Sequence, residues 1–336
     1  MKKFLASIIA VVLAVSGLSV ISITANAATI FISGNYEYTV NSDDTVNIAG
    51  YKGIATDITI PSQILNKNVV KISDNSFYNN STLTSVKIPN TIKVVGSMAF
   101  HNCTKLSKVT LPSNLTEIGY NAFEGTTALT TITIPKTVTT VGNNVFNGSA
   151  LKTATIENGA TAVADNLFSN AKNLTKVTIP NTVKKVGSMS FYDCTKLSSV
   201  TLPNTLTSIE TSAFKNCQAM KSITIPKSVT YFGTTAVGYS DGRVIDGFII
   251  YGYKNTKAQT YATKNKITFK ALQEETVPVG DINNDGKIDV SDVTYLQMYL
   301  SGNSSYVIKN TKAADANGDG KIDVADVTKI QTIIAS

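Results

Sequence analysis

The sequence has no tryptophan and a single histidine, His101. Histidine is the side chain whose ordinary pKa suits proton transfer near neutrality, so one copy leaves little room for imidazole-based catalysis or metal binding. Charged residues are also sparse, at 16% of the chain, where about a quarter is usual. The net charge is +7, but the lysines are scattered among Thr, Ser and Asn without a dense cluster. A solvated surface accounts for that pattern, and no nucleic-acid partner is expected. G-x-S-x-G, H-E-x-x-H and a glycine-rich phosphate loop are all missing, which removes the commonest hydrolase, zinc-protease and nucleotide signatures.

Long apolar runs are missing too, except at the start. Lys2 and Lys3 precede "FLASIIAVVLAVSGLSVISI", and Ala25, Asn26 and Ala27 follow. A basic start, an apolar middle and an A-x-A end read as a secretory signal over residues 1–27, cut after Ala27. An uncleaved N-terminal anchor is the alternative reading. No other stretch is long enough to span a bilayer, so the expected product is secreted, without stable membrane insertion. Charge divides what remains: residues 28–273 hold 23 Lys and Arg against 13 Asp and Glu, and residues 274–336 hold 5 against 10.

What the chain has in quantity is repetition. "LTSVKIP" from Leu83, "LSKVTLP" from Leu106, "LTTITIP" from Leu129, "LKTATIE" from Leu151, "LTKVTIP" from Leu174, "LSSVTLP" from Leu197 and "MKSITIP" from Met220 recur at steps of 23, 23, 22, 23, 23 and 23. "ATDITIP" from Ala55 is an earlier copy followed by a longer insert. Alternating apolar residues such as Leu106, Val109 and Leu111 predict a short strand, which Pro112 and its equivalents stop. A second apolar pair, such as Leu115 and Ile118, comes next, then Gly119 and an invariant-looking phase occupied by Phe77, Phe100, Phe123, Phe146, Phe168, Phe191 and Phe214. Units this small cannot bury their own apolar face, so they stack as a solenoid. Eight strands at roughly 4.8 Å each would make a rod of about 40 Å.

The three cysteines, Cys103, Cys194 and Cys217, each stand three residues after a ladder Phe. That inward phase predicts small buried free thiols, with a Cys194–Cys217 bridge between adjacent turns as the minority reading.

The pattern L-x-x-[IV]-x-[IL]-P-x-x-[VIL]-x-x-[IV]-G-x-x-A-F-x-x-C resembles the BspA-like leucine-rich repeats of bacterial surface proteins. The resemblance implies a mainly β leucine-rich-repeat solenoid over residues 55–238, with an N-terminal cap hairpin at 28–54 and a C-terminal cap at 239–272. "NYEYTVNSDDTVNIAGYKG" fits the hairpin, with Asp43-Asp44 at its turn, and "GFIIYGYKNTKAQTYATKNKITF" fits strand, short helix and strand. In the body His101 is expected at a variable surface position, and Glu117, Glu124 and Glu157 lie in separate units without partner carboxylates. The body is therefore expected to be non-catalytic. An outward row of Thr59, Lys87, Thr110, Thr133, Thr155, Thr178, Thr201 and Thr224 offers a regular, hydroxyl-rich face. With no tryptophan to stack on sugars, a protein ligand is favoured over a polysaccharide.

The acidic end repeats as well. "GDINNDGKIDVSDV" from Gly280 is echoed by "ADANGDGKIDVADV" from Ala314. Positions 1, 3, 5, 9 and 12 of the first loop are Asp281, Asn283, Asp285, Asp289 and Asp292, with the Lys287 carbonyl at position 7 and Gly286 at 6. In the second they are Asp315, Asn317, Asp319, Asp323 and Asp326, with the Lys321 carbonyl and Gly320. That spacing can wrap oxygen ligands around Ca²⁺, one ion per loop, and the glycine permits the sharp turn. Four carboxylates in one short loop would otherwise repel each other. Pro278 and Gly280 preclude a helix entering the first loop, so only exit helices are expected, from "DVTYLQMYL" and "DVTKIQTIIA".

This duplicated loop–helix unit resembles a type I dockerin, implying a small all-α calcium-binding domain at 279–336 after a linker at 273–278. The resemblance implies a cohesin module of a scaffold protein as partner, as in cellulosome-type assemblies that degrade polysaccharides. The family's recognition positions fall on Val290, Ser291, Gln297 and Met298, then Val324, Ala325, Gln331 and Thr332. Val290 and Val324 stand where the best-known members carry a hydroxyl. Two near-duplicate faces imply docking in two orientations.

Overall fold

The structure is a computed structural model that describes residues 29–273 and 278–336. The proposed signal at 1–27 and most of the linker lie outside those residues. Contacts divide the chain into two units between Leu272 and Gln273.

The first unit is a solenoid whose turns hydrogen-bond on three edges. On one edge, Asp57–Thr59, Ser85–Lys87 and Lys108–Thr110 form a parallel sheet. Thr131–Ile134, Thr153–Ile156 and Lys176–Thr178 form another. Ser222–Thr224 continues into the cap strands Ile249–Gly252 and Thr268–Ala271. The expectation of a strand in every copy needs correcting at Leu197 to Pro203, where no strand is assigned. There Leu202 is buried and Val200 packs on the core. Side-chain burial therefore holds that turn while the backbone ladder is interrupted.

A second edge escapes the sequence pattern, because all its strands after the first are only two residues long. Lys67–Ile72, Val94–Val95, Glu117–Ile118 and Thr140–Val141 pair in parallel, as do Ala162–Val163, Lys185–Val186, Ser208–Ile209 and Tyr231–Phe232. The interruption between these two runs falls in the one 22-residue unit. Gly119 follows a strand of this edge because a Cβ there would come within 2.5 Å of the Ser97 amide nitrogen. Turns approach too closely for any other residue.

The third edge carries the phenylalanines. Phe100 N–H donates to Ala122 O at 2.8 Å, Phe123 N–H to Val145 O at 2.9 Å, and Phe191 N–H to Ala213 O at 2.9 Å. Each Phe is flanked by left-handed residues, Asn121 and Gly125 around Phe123 for example. These two reversals turn the ring inward. The seven rings stack with centroids 4.9 to 5.8 Å apart, and Tyr51 of the N-terminal cap extends the column to Phe77 at 5.5 Å. Offset stacking at this spacing adds to the area term at every turn.

Open solenoid ends expose unpaired edges, and both are covered. Phe31–Ser33, Tyr36–Val40 and Val46–Tyr51 form an antiparallel cap that joins Lys67–Ile72 in parallel. At the other end helix α1, Lys257–Lys264, packs Tyr261 on Phe232 with centroids 4.6 Å apart.

The second unit holds α2 (Val290–Leu300), α3 (Thr311–Ala314) and α4 (Val324–Ala335). Its core is Ile282, Val293, Leu296, Ala314, Ala316, Val327 and Ile330. α3 departs from the expectation of exit helices alone. Asn310 starts it by accepting the Lys312 and Ala313 amides at 3.1 and 3.2 Å, a side-chain cap that outweighs the poor intrinsic stability of so short a helix.

Candidate functional site

The two acidic loops fold alike because each carboxylate takes a backbone amide of its own loop. Asp281 Oδ1 accepts Asp285 N–H at 3.2 Å and Oδ2 accepts Gly286 N–H at 3.1 Å. Asn283 Oδ1 accepts Asp285 N–H, and Asp285 Oδ1 accepts Lys287 N–H, both at 2.9 Å. In the second loop Asp315 Oδ2 accepts Gly320 N–H, Asn317 Oδ1 accepts Asp319 N–H, and Asp319 Oδ1 accepts Lys321 N–H, all at 2.9 Å. Gly286 and Gly320 have φ of 86° and 84°, the left-handed region that glycine enters without penalty.

Position 9 of each loop caps the following helix. Asp289 Oδ1 accepts Ser291 N–H at 2.8 Å and its hydroxyl at 2.6 Å; Asp323 Oδ1 accepts Ala325 N–H at 2.8 Å. The bonds from Ser291 hold the exposed Asp289 carboxyl below the usual carboxylate range. Position 12 closes the loop. Asp292 Oδ2 accepts Asp289 N–H at 3.0 Å, and its Oδ1 accepts the Ile282 and Asn283 amides at 2.7 and 3.1 Å. Asp326 repeats this with Asp323 N–H at 2.9 Å and Asn317 N–H at 3.1 Å. Both are completely buried, the environment in which an anion most needs donors or a cation.

Among the described residues no three His, Cys, Asp or Glu side chains converge closely enough to hold a metal ion unaided. The donor set available is broader, because an amide oxygen (Asn283 or Asn317) and a backbone carbonyl complete each loop. Hard oxygen donors of this kind suit Ca²⁺ rather than a transition metal. The second loop carries one further pointer. Asp315 Oδ1 is buried and has no hydrogen-bond partner, an acceptor that a cation would satisfy. The residues therefore fit a calcium ion.

Helix surfaces beside the loops are open. Val290 and Val324 are 71% and 70% exposed, and Ser291, Gln297, Met298, Ala325, Gln331 and Thr332 are exposed as well. The duplication thus places the same two clusters at the start and middle of α2 and α4.

The solenoid gathers no comparable constellation from the other candidates. His101 is not the free surface residue expected: it is half-buried, its ring stacks on Tyr78 with centroids 5.1 Å apart, and Nδ1 stands 3.3 Å from Glu124 Oε2. Stacking of adjacent turns brings these three together, which a single-unit reading does not show. Glu157 accepts the Lys136 amide at 3.0 Å, and Glu117 lies on a separate strand. The threonine row is exposed apart from Thr155, which is half-buried. All three cysteines are free and buried, with Cys103, Cys194 and Cys217 thiols donating to the carbonyls of Phe77, Phe168 and Phe191 at 3.1, 3.2 and 3.2 Å.

Comparison with known proteins agrees with both units. The BspA type leucine rich repeat region matches residues 55–175 and 161–242 in six copies, and the dockerin type I domain matches residues 279–334. A leucine-rich repeat protein from Bacteroides ovatus aligns over 72% of this chain and 67% of its own, at 25% identity and a TM-score of 0.57. A leucine-rich repeat protein from T. pallidum aligns over 70% and 95%, at 26% identity and a TM-score of 0.49. Another from Eubacterium ventriosum is 32% identical over 61% of this chain and 50% of its own, with a TM-score of 0.47. No curated protein matches the sequence. Type I dockerin domains bind calcium and cohesins, and leucine-rich repeats are interaction modules. The chain belongs to the BspA-type leucine-rich repeat proteins and carries a type I dockerin at its C-terminal end.

Proposed function

We propose that this is a secreted, non-catalytic binding protein whose solenoid is mounted on a cohesin-bearing scaffold through the calcium-dependent dockerin. The observation that carries the reading is the duplication itself. Two loops bury Asp292 and Asp326 in the same way and set equivalent exposed residues on α2 and α4.

Two calcium ions are assigned. The first is held by Asp281, Asn283, Asp285, Asp289, Asp292 and the Lys287 carbonyl, and the second by Asp315, Asn317, Asp319, Asp323, Asp326 and the Lys321 carbonyl. The ions neutralise each loop's carboxylates and so hold α2 and α4 in the arrangement a partner reads. Val290, Ser291, Gln297 and Met298, or Val324, Ala325, Gln331 and Thr332, then contact the cohesin. Among the described residues no helix is long and apolar enough to cross a membrane. In this reading, docking to the scaffold supplies the attachment. The setting would be an extracellular, cellulosome-type complex that degrades polysaccharide.

A panel of purified type I cohesins tests this by titration calorimetry against the full chain, with calcium and with excess chelator. Tight binding that disappears in chelator is expected. No binding to any cohesin in calcium, or binding indifferent to chelator, overturns the docking reading.

A further inference from the structure

The cap end of the solenoid contains a feature that capping does not account for. A cleft of about 390 Å³ opens between the last turn of the solenoid and α1. Its floor is the stacked pair Phe232 and Tyr261. Its wall is fixed: Tyr239 Oη donates to Asn265 Oδ1 at 2.7 Å, Asn265 Nδ2 donates to Tyr261 O at 2.8 Å, and Tyr261 Oη donates to Val237 O at 3.2 Å. These bonds leave the floor and wall rigid, so a ligand would meet a shape that already exists.

The mouth is built differently. Tyr231 is 51% exposed. Its register partner on the preceding turn is Ser208, and Lys185 and Ala162 stand at the same place further back. The ladder therefore accepts serine, lysine or alanine there, and packing gives no reason for an aromatic ring. Across the cleft, Lys257, Thr260, Tyr261 and Lys264 are spaced i, i+3, i+4 and i+7, one face of α1. Both lysines are exposed and join no ion pair among the described residues. The cap around them is basic, with six Lys and Arg against two Asp over residues 239–272.

We infer that this cleft binds an acidic carbohydrate, a chain of uronate-type sugars carrying carboxylates. A pyranose ring presents a flat face of C–H groups, which the exposed face of Tyr231 can cover. Lys257 and Lys264 meet the carboxylates, and Thr234 and Thr260, which line the cleft, offer side-chain hydroxyls to those of the sugar. An acidic peptide fits less well. Strand addition needs a free edge, and the terminal strand Tyr231–Phe232 is two residues long and covered by α1. The inference rests on reading the solenoid as a binding module and is independent of calcium and the dockerin.

Titration calorimetry of the full chain with a short oligogalacturonide, a neutral cello-oligosaccharide of equal length and an oligoglutamate tests it. Binding of the oligogalacturonide alone, weakening as salt rises, is expected. Lys257→Gln combined with Lys264→Gln should weaken it about tenfold. Tyr231→Ala should abolish measurable binding while leaving the thermal midpoint unchanged, since other turns carry small residues there. No binding, equal binding to the neutral sugar, tighter binding to oligoglutamate, or binding unaffected by these substitutions overturns the inference. Cohesin capture on the same variants keeps the two readings apart, because it should persist in every one.

Discussion

Asp292 Oδ1 accepts the amide of Ile282, ten residues earlier, at 2.7 Å. Position 12 of the first loop is thereby tied to the chain just after position 1. Asp292→Asn keeps an acceptor for that amide and removes the charge. Helix α2 should persist by circular dichroism, while a calcium titration should show one site weakened on the order of tenfold or more. Unaltered affinity for both ions would remove Asp292 from the ligand set.

Duplicate faces on α2 and α4 lead to a second expectation. Val290→Glu with Met298→Glu, or Val324→Glu with Thr332→Glu, should each leave cohesin binding within a few-fold of the parent. All four together should abolish it, because either face alone suffices. Loss of binding on altering one face would refute docking in two orientations.

The phenylalanine column predicts a large core effect. Phe146 is fully buried between Phe123 and Phe168, at 5.5 and 5.8 Å. Phe146→Ala should cost about 3–5 kcal/mol in urea unfolding, through lost area and the cavity left behind. A cost below about 1 kcal/mol would mean that the turns collapse freely around the gap.

Backbone strain predicts the opposite sign at two positions. Met98 and Met189 adopt φ of 54°, where the equivalent Asn75, Asn121, Asn144 and Asn166 stand in other units. Asparagine tolerates this region better than methionine, so Met98→Asn and Met189→Asn should each raise stability by about 0.5–1 kcal/mol. Both side chains are more than a third exposed, so little packing is lost in exchange. A fall in midpoint would show that their contacts outweigh the strain.

Burial pushes the Cys103 thiol up to about 12 and raises those of Cys194 and Cys217 as well. An unfolded thiol ionises near 9.0. The folded state therefore keeps protons that the unfolded state releases. The stability this provides is complete below about pH 9 and declines as pH rises from there toward 12. Thiol reagents at pH 8 should label the folded chain slowly and the urea-unfolded chain fully. Rapid labelling of the folded protein would contradict the buried placement.

Much of this was legible in the primary structure because repetition converts weak local signals into strong ones. One "LTTITIP" is an ambiguous apolar run, but seven at steps of 22 or 23 residues define a solenoid, and Phe77 to Phe214 at one phase define its column. The loops were legible for the same reason, since Asp281 to Asp292 and Asp315 to Asp326 read twice. The short edge through Glu117–Ile118 was not visible, because two residues carry no periodicity. The left-handed turns either side of each Phe had a signal in the recurring Asn, Asp and Gly, but Met98, Met189 and Ser212 obscured it.

The sequence by itself determined the repeat solenoid, the dockerin that follows it, the inward phase of the cysteines and the matched spacing of the acidic side chains in both loops. Each of these is a property of spacing along the chain. Tertiary structure decided what depends on contacts between turns. It placed His101 between Tyr78 and Glu124, interrupted the strand row at Leu197 to Pro203, and left Asp315 Oδ1 buried without a partner. It also set Tyr231 opposite Lys257 and Lys264 across a rigid floor. Those residues lie 26 to 33 positions apart, beyond the reach of a 23-residue period, and only the packing of α1 on the last turn brings them together.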